Sequence, residues 1–371
     1  MSTFIYVMTA ALLASAVWVN LATYLGAPVS TTHAVVGGVV GSGVAAQGIG
    51  IVAWPMIGTI ALSWVISPVL GGIFAALLLS VVRRTITGRI DKVAAARIWV
   101  PILVAGMTGI FAIYMANKGL SRIWKPDLVT SLLLGLGFAA LGWIVSTPLV
   151  RRQSLYLENR KKHIARLFRL PLILAAALLS FAHGANDVAN AIGPFAAIVS
   201  TVQSNTINAS GIALPFWVLA IRAVGISLGL TLFGPRLIRT VGEQITKLNE
   251  IRAYCVALSA AVTVLAASAL GLPVSSTHIA VGGIFGVGFL REYWSQIDMR
   301  NNAVPIRARF IDPAALNDTP AQAISRARKR DRRRLVRRQH VMSIVAAWVI
   351  TVPASALLSA IVYLVLSWLL P

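Results

Sequence analysis

Apolar runs of about twenty residues or more recur along the whole of this 371-residue sequence, and a bilayer core of about 30 Å asks for that length from each helix that crosses it. They fall at about 3–25, 50–82, 97–117, 127–150, 171–202, 212–235, 252–271 and 340–370. In lipid the backbone must satisfy its own hydrogen bonds within each span, so the expected fold is all-α: a polytopic membrane protein with about eight full spans. Charged residues make up only 12% of the chain, about half the share usual in a soluble domain. The first run, within Met1–Ala27, lacks the basic leader of a signal peptide and is long enough to span, so it reads as a retained helix.

A formal charge of +22 would suggest nucleic acid in a soluble protein. Here the basic residues lie in the loops and report topology instead. Segments 83–97, 151–169, 236–252 and 291–338 hold 29 of the 33 lysines and arginines, while the opposite loops hold only Lys118, Arg122 and Lys125. The positive-inside rule therefore places the basic loops in the cytoplasm, and an inner (plasma) membrane is the expected location. The longest, 291–338, contains "RARKRDRRRLVRR" without a hydrophobic period and reads as a basic loop touching anionic lipid headgroups, not nucleic acid. The single cysteine, Cys255, sits inside an apolar run; it excludes an intramolecular disulfide or a CxxC metal site and reads as a small core residue.

An internal repeat organises the chain. "LGAPVSTTHAVVGGVVGSG" (Leu25–Gly43) and "LGLPVSSTHIAVGGIFGVG" (Leu270–Gly288) agree at 12 of 19 positions, 245 residues apart, and related cores follow at "SWVISP" (Ser63–Pro68) and "AWVITVP" (Ala347–Pro353). Each copy opens a short segment, 28–46 or 274–290, after a Gly-x-Pro break. Threading the spans through the charge pattern runs the first short segment from inside to outside and the second from outside to inside. Such antiparallel, Gly/Pro-interrupted pairs mark an inverted-repeat secondary transporter with two broken or re-entrant helices. The expected organisation is a first repeat at 1–85, an intervening transmembrane pair at 97–150, and a second repeat at 171–371 that includes the basic loop.

Each Pro-x-Ser-x-Thr-His reads as a helix break followed by a capped helix start, with unpaired N–H groups and a positive dipole end that attract an anion. Ser30, Thr31 and Thr32, with Ser275, Ser276 and Thr277, add hydroxyls that donate to an oxyanion or accept from a coupling cation. The alternative for either copy alone is a capped, packed helix hairpin. His33 and His278 read either as neutral imidazoles bonded to backbone carbonyls or as proton relays.

Asp187 is the one formal charge between Arg169 and Arg222. A carboxylate near the bilayer centre costs about 2.5 to 3.5 kcal/mol on insertion scales and is by default a functional group. Gly184 and Gly193–Pro194 are expected to interrupt its helix, freeing carbonyls to join Asp187, Asn186 and Asn190 as oxygen ligands for a hard cation or a protonated partner. His183 reads as a member of this cluster or as a packed neutral histidine. Arg222, the only basic residue inside an apolar run, reads as a counter-charge to Asp187, a substrate contact, or a partner of helix-end carbonyls.

"GANDVANAIGP" (Gly184–Pro194), with "PVSTTH" (Pro28–His33) and "PVSSTH" (Pro273–His278), resembles the inorganic phosphate transporter (PiT) family over nearly the whole chain. The resemblance implies symport of inorganic phosphate with Na⁺ or H⁺, in some members as a metal-phosphate complex. It implies further that Asn186, Asp187 and Asn190 line the phosphate and cation site with Ser275, Ser276, Thr277, Ser30, Thr31 and Thr32, Asp187 meeting the cation. No catalytic residue and no cofactor beyond the coupling ion is implied, and no enzyme constellation is present. The partners it implies are phosphate and membrane lipid, with a homodimer left open. A sulfate or other oxyanion permease, and a truncated non-transporting remnant or subunit, are the competing readings. The family carries its Gly-Ala-Asn-Asp motif in both repeats, whereas the position 245 residues before Asp187 falls ahead of Met1. The first helices of repeat one are therefore expected to be lost or carried on a separate chain.

Overall fold

The computed structural model describes residues 1–27, 29–119, 124–204, 216–239, 248–272, 274–303 and 338–370. Pro28, Pro273, Arg122, residues 205–211 of the uncharged loop and the basic stretch 304–337 lie outside the described residues. The helices are α1 (Ser2–Tyr24), α2 (Thr31–Gln47), α3 (Trp54–Val82), α4 (Lys92–Tyr114), α5 (Leu128–Gln153), the short α6 (Lys161–Arg166), α7 (Arg169–Ser204), α8 (Phe216–Arg239), α9 (Glu250–Ala269), α10 (Ser276–Ala303) and α11 (Arg338–Leu369). No strand occurs among the described residues. Eight of these helices (α1, α3, α4, α5, α7, α8, α9 and α11) are long and apolar enough to cross a membrane. They are the eight expected from the sequence, and the chain is an all-α, multi-pass membrane protein.

Local chemistry sets the helix ends. Gly26 (φ 75°) and Gly271 (φ 71°) adopt the left-handed conformation that closes α1 and α9, and the amides of Ala27 and Leu272 reach back to the carbonyls of Ala22 and Ala267. Glycine alone enters this region without a Cβ penalty, so the Gly-x-Pro break is written into both repeats. Four residues after each glycine, Ser30 and Ser275 accept the amides of His33 and His278, each at 3.3 Å, and start α2 and α10.

Two findings differ from expectation. Helix α10 continues past residue 290 to Ala303, where the Arg83 guanidinium lies 4.1 Å from the centroid of the Trp294 ring and gives the extension a partner from α3's end. Helix α7 runs unbroken from Arg169 to Ser204 through Gly184, Gly193 and Pro194. A proline inside a helix removes one N–H donor, a cost that packing on neighbouring helices can absorb in a span.

The two repeats interleave. Helix α2 packs on α11, which carries the second repeat's "AWVITVP" core, and α10 packs on α3, which carries the first repeat's "SWVISP". Backbones meet at the glycines of the repeated motif: a Cβ on Gly37 or Gly41 would lie 2.5 or 2.0 Å from the carbonyls of Val352 or Ala356, and one on Gly282 or Gly286 2.1 Å from those of Pro68 or Gly72. These contacts leave no room for any side chain. Helices α4 and α5 form a separate pair, with Gly109 set against the Gly135 carbonyl. Helix α9 forms much of the central core, its apolar window 72% buried.

Candidate functional site

Helix α7 passes between the starts of α2 and α10 and bonds to both. On the α10 side, the Asn186 amide donates to the Val274 carbonyl at 2.8 Å, and Ser268 at the end of α9 donates to the Asn186 carbonyl oxygen at 3.4 Å. The Ser276 hydroxyl is hydrogen-bonded to Nδ1 of His183. On the α2 side, the Thr31 hydroxyl donates to Oδ2 of Asp187 at 3.3 Å. One turn of α7 thus ties together the two helix starts that the sequence pattern singled out.

Asp187 is the centre of this cluster and is 7% exposed. Besides Thr31, its carboxylate accepts from the Asn186 amide at 3.0 Å, and Nε2 of His183 stands 3.4 Å from Oδ2. A His183 tautomer with its proton on Nε2 satisfies both ends: it donates to Asp187 and accepts from Ser276. The chain Ser276–His183–Asp187–Thr31 then runs unbroken from one repeat to the other.

Asp187, His183 and Thr31 face a cavity of about 700 Å³ between α1, α2, α7 and α8. Its walls are mostly apolar, among them Leu12, Phe195, Val218 and Ile221, with Ser15 and Asn20 of α1 adding polar groups to Asp187, His183 and Thr31. Arg222 joins them from α8, within electrostatic reach of Asp187; its Nη1 is buried with no partner among the described residues. Helix starts supply further polarity, because the first N–H groups of a helix have no partner inside it and form its positive dipole end.

The structure places the remaining sequence-derived residues unevenly. Ser30, Thr32 and Ser275 are buried and do not line the cavity, the two serines serving as helix caps. Thr277 is half-buried. The side chain of Asn190 lies outside the described residues, though its backbone belongs to α7. His33 and His278 turn away from the cavity into a stack with Trp64 and Trp348. The sequence reading missed those tryptophans, and it missed Ser268 and the Val274 carbonyl as partners of Asn186. The paired "SWVISP" and "AWVITVP" cores held the signal for the tryptophans: both put Trp at the second position of a repeated segment.

The sequence profile of the phosphate transporter family matches residues 1–359. The chain belongs to that family. A solved structure titled "The sodium-dependent phosphate transporter" superposes with a TM-score of 0.81 at 32% identity, covering 100% of this chain and 81% of that one. A Helicobacter pylori (strain J99) relative named "Putative phosphate permease" is 41% identical, over 99% of this chain and 76% of its own. "Inorganic phosphate transporter 2-1, chloroplastic" of Arabidopsis thaliana is 34% identical, over 95% of this chain and 57% of its own. As a member of a family of transporters and permeases, the chain is not an enzyme.

Proposed function

We propose that the protein carries inorganic phosphate across an inner (plasma) membrane by symport with Na⁺, its basic loops facing the cytoplasm, and that the site lies where α7 meets the starts of α2 and α10. The observation that carries this reading is the double attachment of α7: Asp187 to Thr31 and His183 to Ser276. Two helix N-termini and their hydroxyls suit an oxyanion. A carboxylate, an amide oxygen and threonine hydroxyls suit a hard cation.

The same arrangement supplies a reason for coupling. A phosphate dianion beside Asp187 is opposed by the carboxylate, and an unpaired charge in a low-dielectric site is costly. A cation bound between the two relieves both charges, so anion and cation favour each other's binding. Arg222 adds a positive charge to the same cavity. The sodium-dependent character of the superposed transporter favours Na⁺ over H⁺.

The test is uptake of labelled phosphate in cells lacking their own phosphate transporters, under an imposed Na⁺ or H⁺ gradient, with unlabelled sulfate as competitor and a divalent-metal chelator in a parallel arm. Na⁺-driven uptake that sulfate leaves untouched supports the reading. Uptake driven by pH alone would replace Na⁺ by H⁺. Dependence on divalent metal would make a metal-phosphate complex the cargo, and competition by sulfate would broaden the substrate to tetrahedral oxyanions.

A further inference from the structure

At the core of the interleaved helices four rings form a continuous column. Trp64 of α3 lies 3.8 Å, centroid to centroid, from His33 of α2 at an interplanar angle of 34°. His33 meets His278 of α10 edge to face at 4.4 Å and 86°. His278 stacks on Trp348 of α11 at 3.7 Å and 27°. The column reads the same from either end: a tryptophan and a histidine from each repeat, with the histidines meeting in the middle.

The histidines are 5% and 1% exposed. Among the described residues neither ring nitrogen of His278 has a hydrogen-bond partner, and the His33 ring faces the Trp348 backbone without the geometry of a hydrogen bond. Buried polar atoms normally find partners, and those that do not call for an explanation. Ordinary core filling does not supply one, since leucine would fill such a space without the orphaned nitrogens. What imidazole adds is a small flat ring that stacks on indole and presents an edge to a second imidazole at a separation slightly below the range of six-membered aromatic pairs, roughly 4.5 to 7 Å.

The sequence position gives this packing its consequence. His33 is three residues from Ser30 and His278 three from Ser275, and each backbone amide is the one its serine caps. The residue that completes a helix start is therefore the residue whose ring touches the other helix start. We propose that the Trp64–His33–His278–Trp348 column is a positioning element, holding the first turns of α2 and α10 in one fixed relation so that both act on the same bound oxyanion. The proposal rests on the phosphate reading only for the identity of that anion. His33 and His278 act through the helix starts and do not touch substrate.

Two measurements test it: phosphate uptake kinetics per folded molecule, and hydrogen exchange of the backbone amides in 29–37 and 274–282. His33→Leu and His278→Leu break the column while keeping apolar volume; Trp64→Phe and Trp348→Phe keep it aromatic. Displacing one helix start should raise the phosphate KM about ten-fold with the maximal rate held within about two-fold, because misplaced binding groups lose alignment. The double leucine variant should be no worse than either single one, as expected of groups acting as a unit. The phenylalanine variants should stay near wild type. Exchange should quicken at both helix starts when either histidine is replaced.

Quickening confined to the substituted helix, or an unchanged KM with only less folded protein, would overturn the proposal. Should the histidine variants fail to accumulate, Trp348→Leu, at a half-buried position, is judged by the same two readings. Wild-type protein that takes up no phosphate would sink the phosphate reading alone, and the exchange measurement would still decide the column.

Discussion

Helices α1 and α9 occupy equivalent places in the two repeats, end on equivalent left-handed glycines, and lead into the duplicated motif, yet their surroundings differ sharply. The apolar window of α9 is 72% buried and that of α1 28%. The difference lies in α7, which packs mainly along α9 and touches α1 to a lesser extent. The helix starts that follow are dressed in the same unequal way. Toward α10, α7 sets Asn186 on the Val274 carbonyl, with Ser268 on Asn186, and His183 on Ser276; toward α2 it sets the Thr31–Asp187 hydrogen bond, and the α2 start is held instead by Ser15 and Ser355, which donate to the Ala34 carbonyl at 3.0 and 2.6 Å. Near-identical motifs thus become two different half-sites, and what separates them is the helix each is packed against.

Asp187 is the group common to both halves, so its removal should have the largest effect. In Asp187→Asn the carboxylate that receives Thr31, Asn186 and His183 becomes an amide with half its acceptor capacity and no charge for a coupling cation. Uptake of labelled phosphate should fall at least about 100-fold, the scale on which a preorganised electrostatic group is lost, while the protein still accumulates in the membrane. Uptake untouched by the substitution would detach the site from α7 altogether.

The glycine contacts of the interleaved pairs are where the two repeats behave alike. A Cβ at Gly41 would meet the Ala356 carbonyl at 2.0 Å, and one at Gly286 the Gly72 carbonyl at 2.1 Å. Gly41→Ala and Gly286→Ala should each force backbones apart and cost about 1 to 3 kcal/mol or more, read as less folded protein and a lower melting temperature in detergent. Gly184→Ala, whose Cβ would meet nothing within 4 Å, is the control that should leave stability unchanged. Unequal losses at Gly41 and Gly286 would show that the asymmetry of the half-sites reaches into the scaffold.

Much of this was legible from residue order because it is local. Spans follow from apolar length, the Gly-x-Pro breaks from the conformational freedom of Gly26 and Gly271, and the helix starts from Ser30 and Ser275. The insertion cost of Asp187 likewise singled out the residue on which Thr31, Asn186 and His183 converge. What escaped is set by contacts between distant segments. Pro194 and its neighbouring glycines look like breaks, but whether a proline breaks or merely bends a span depends on what packs around it, and α7 stays helical. The exchange of α2 and α10 between repeats brings Gly37 to Val352 and Gly282 to Pro68, and the ring column depends on the same exchange. The cores at Ser63–Pro68 and Ala347–Pro353 are displaced by 284 residues rather than the motif's 245, so no single offset reveals the pairing.

Asn186 tests the better-dressed half. Its side chain joins α7, α9 and the residue preceding Ser275 in one network. Asn186→Ala leaves the Val274 carbonyl without that donor and Ser268 without that acceptor. Losing partners in a part-buried polar network costs about 1 to 3 kcal/mol, and the phosphate KM should rise about 30-fold as the α10 start loses its hold on α7, by the conversion of about 1.4 kcal/mol per ten-fold. Asn186→Asp keeps the shape but sets a second carboxylate beside Asp187; like charges this close disfavour joint ionisation, so its uptake should recover partly as pH is lowered, a pattern the alanine variant lacks.

Thr31 tests the other half and should show the smallest change. Its residue is exposed to the cavity, and it contributes one hydrogen bond of 3.3 Å, which water can replace when the hydroxyl is removed. Thr31→Val keeps shape and β-branching, so α2 should start as before, because the cap belongs to Ser30. A net loss of about 0.5 to 1.5 kcal/mol is usual for one such bond, which corresponds to a roughly two-fold to twelve-fold rise in phosphate KM with stability unchanged. If Thr31→Val instead matched Asn186→Ala, the α2 start would carry as much of the substrate as the α10 start, and the unequal burial of α1 and α9 would have no counterpart in the site.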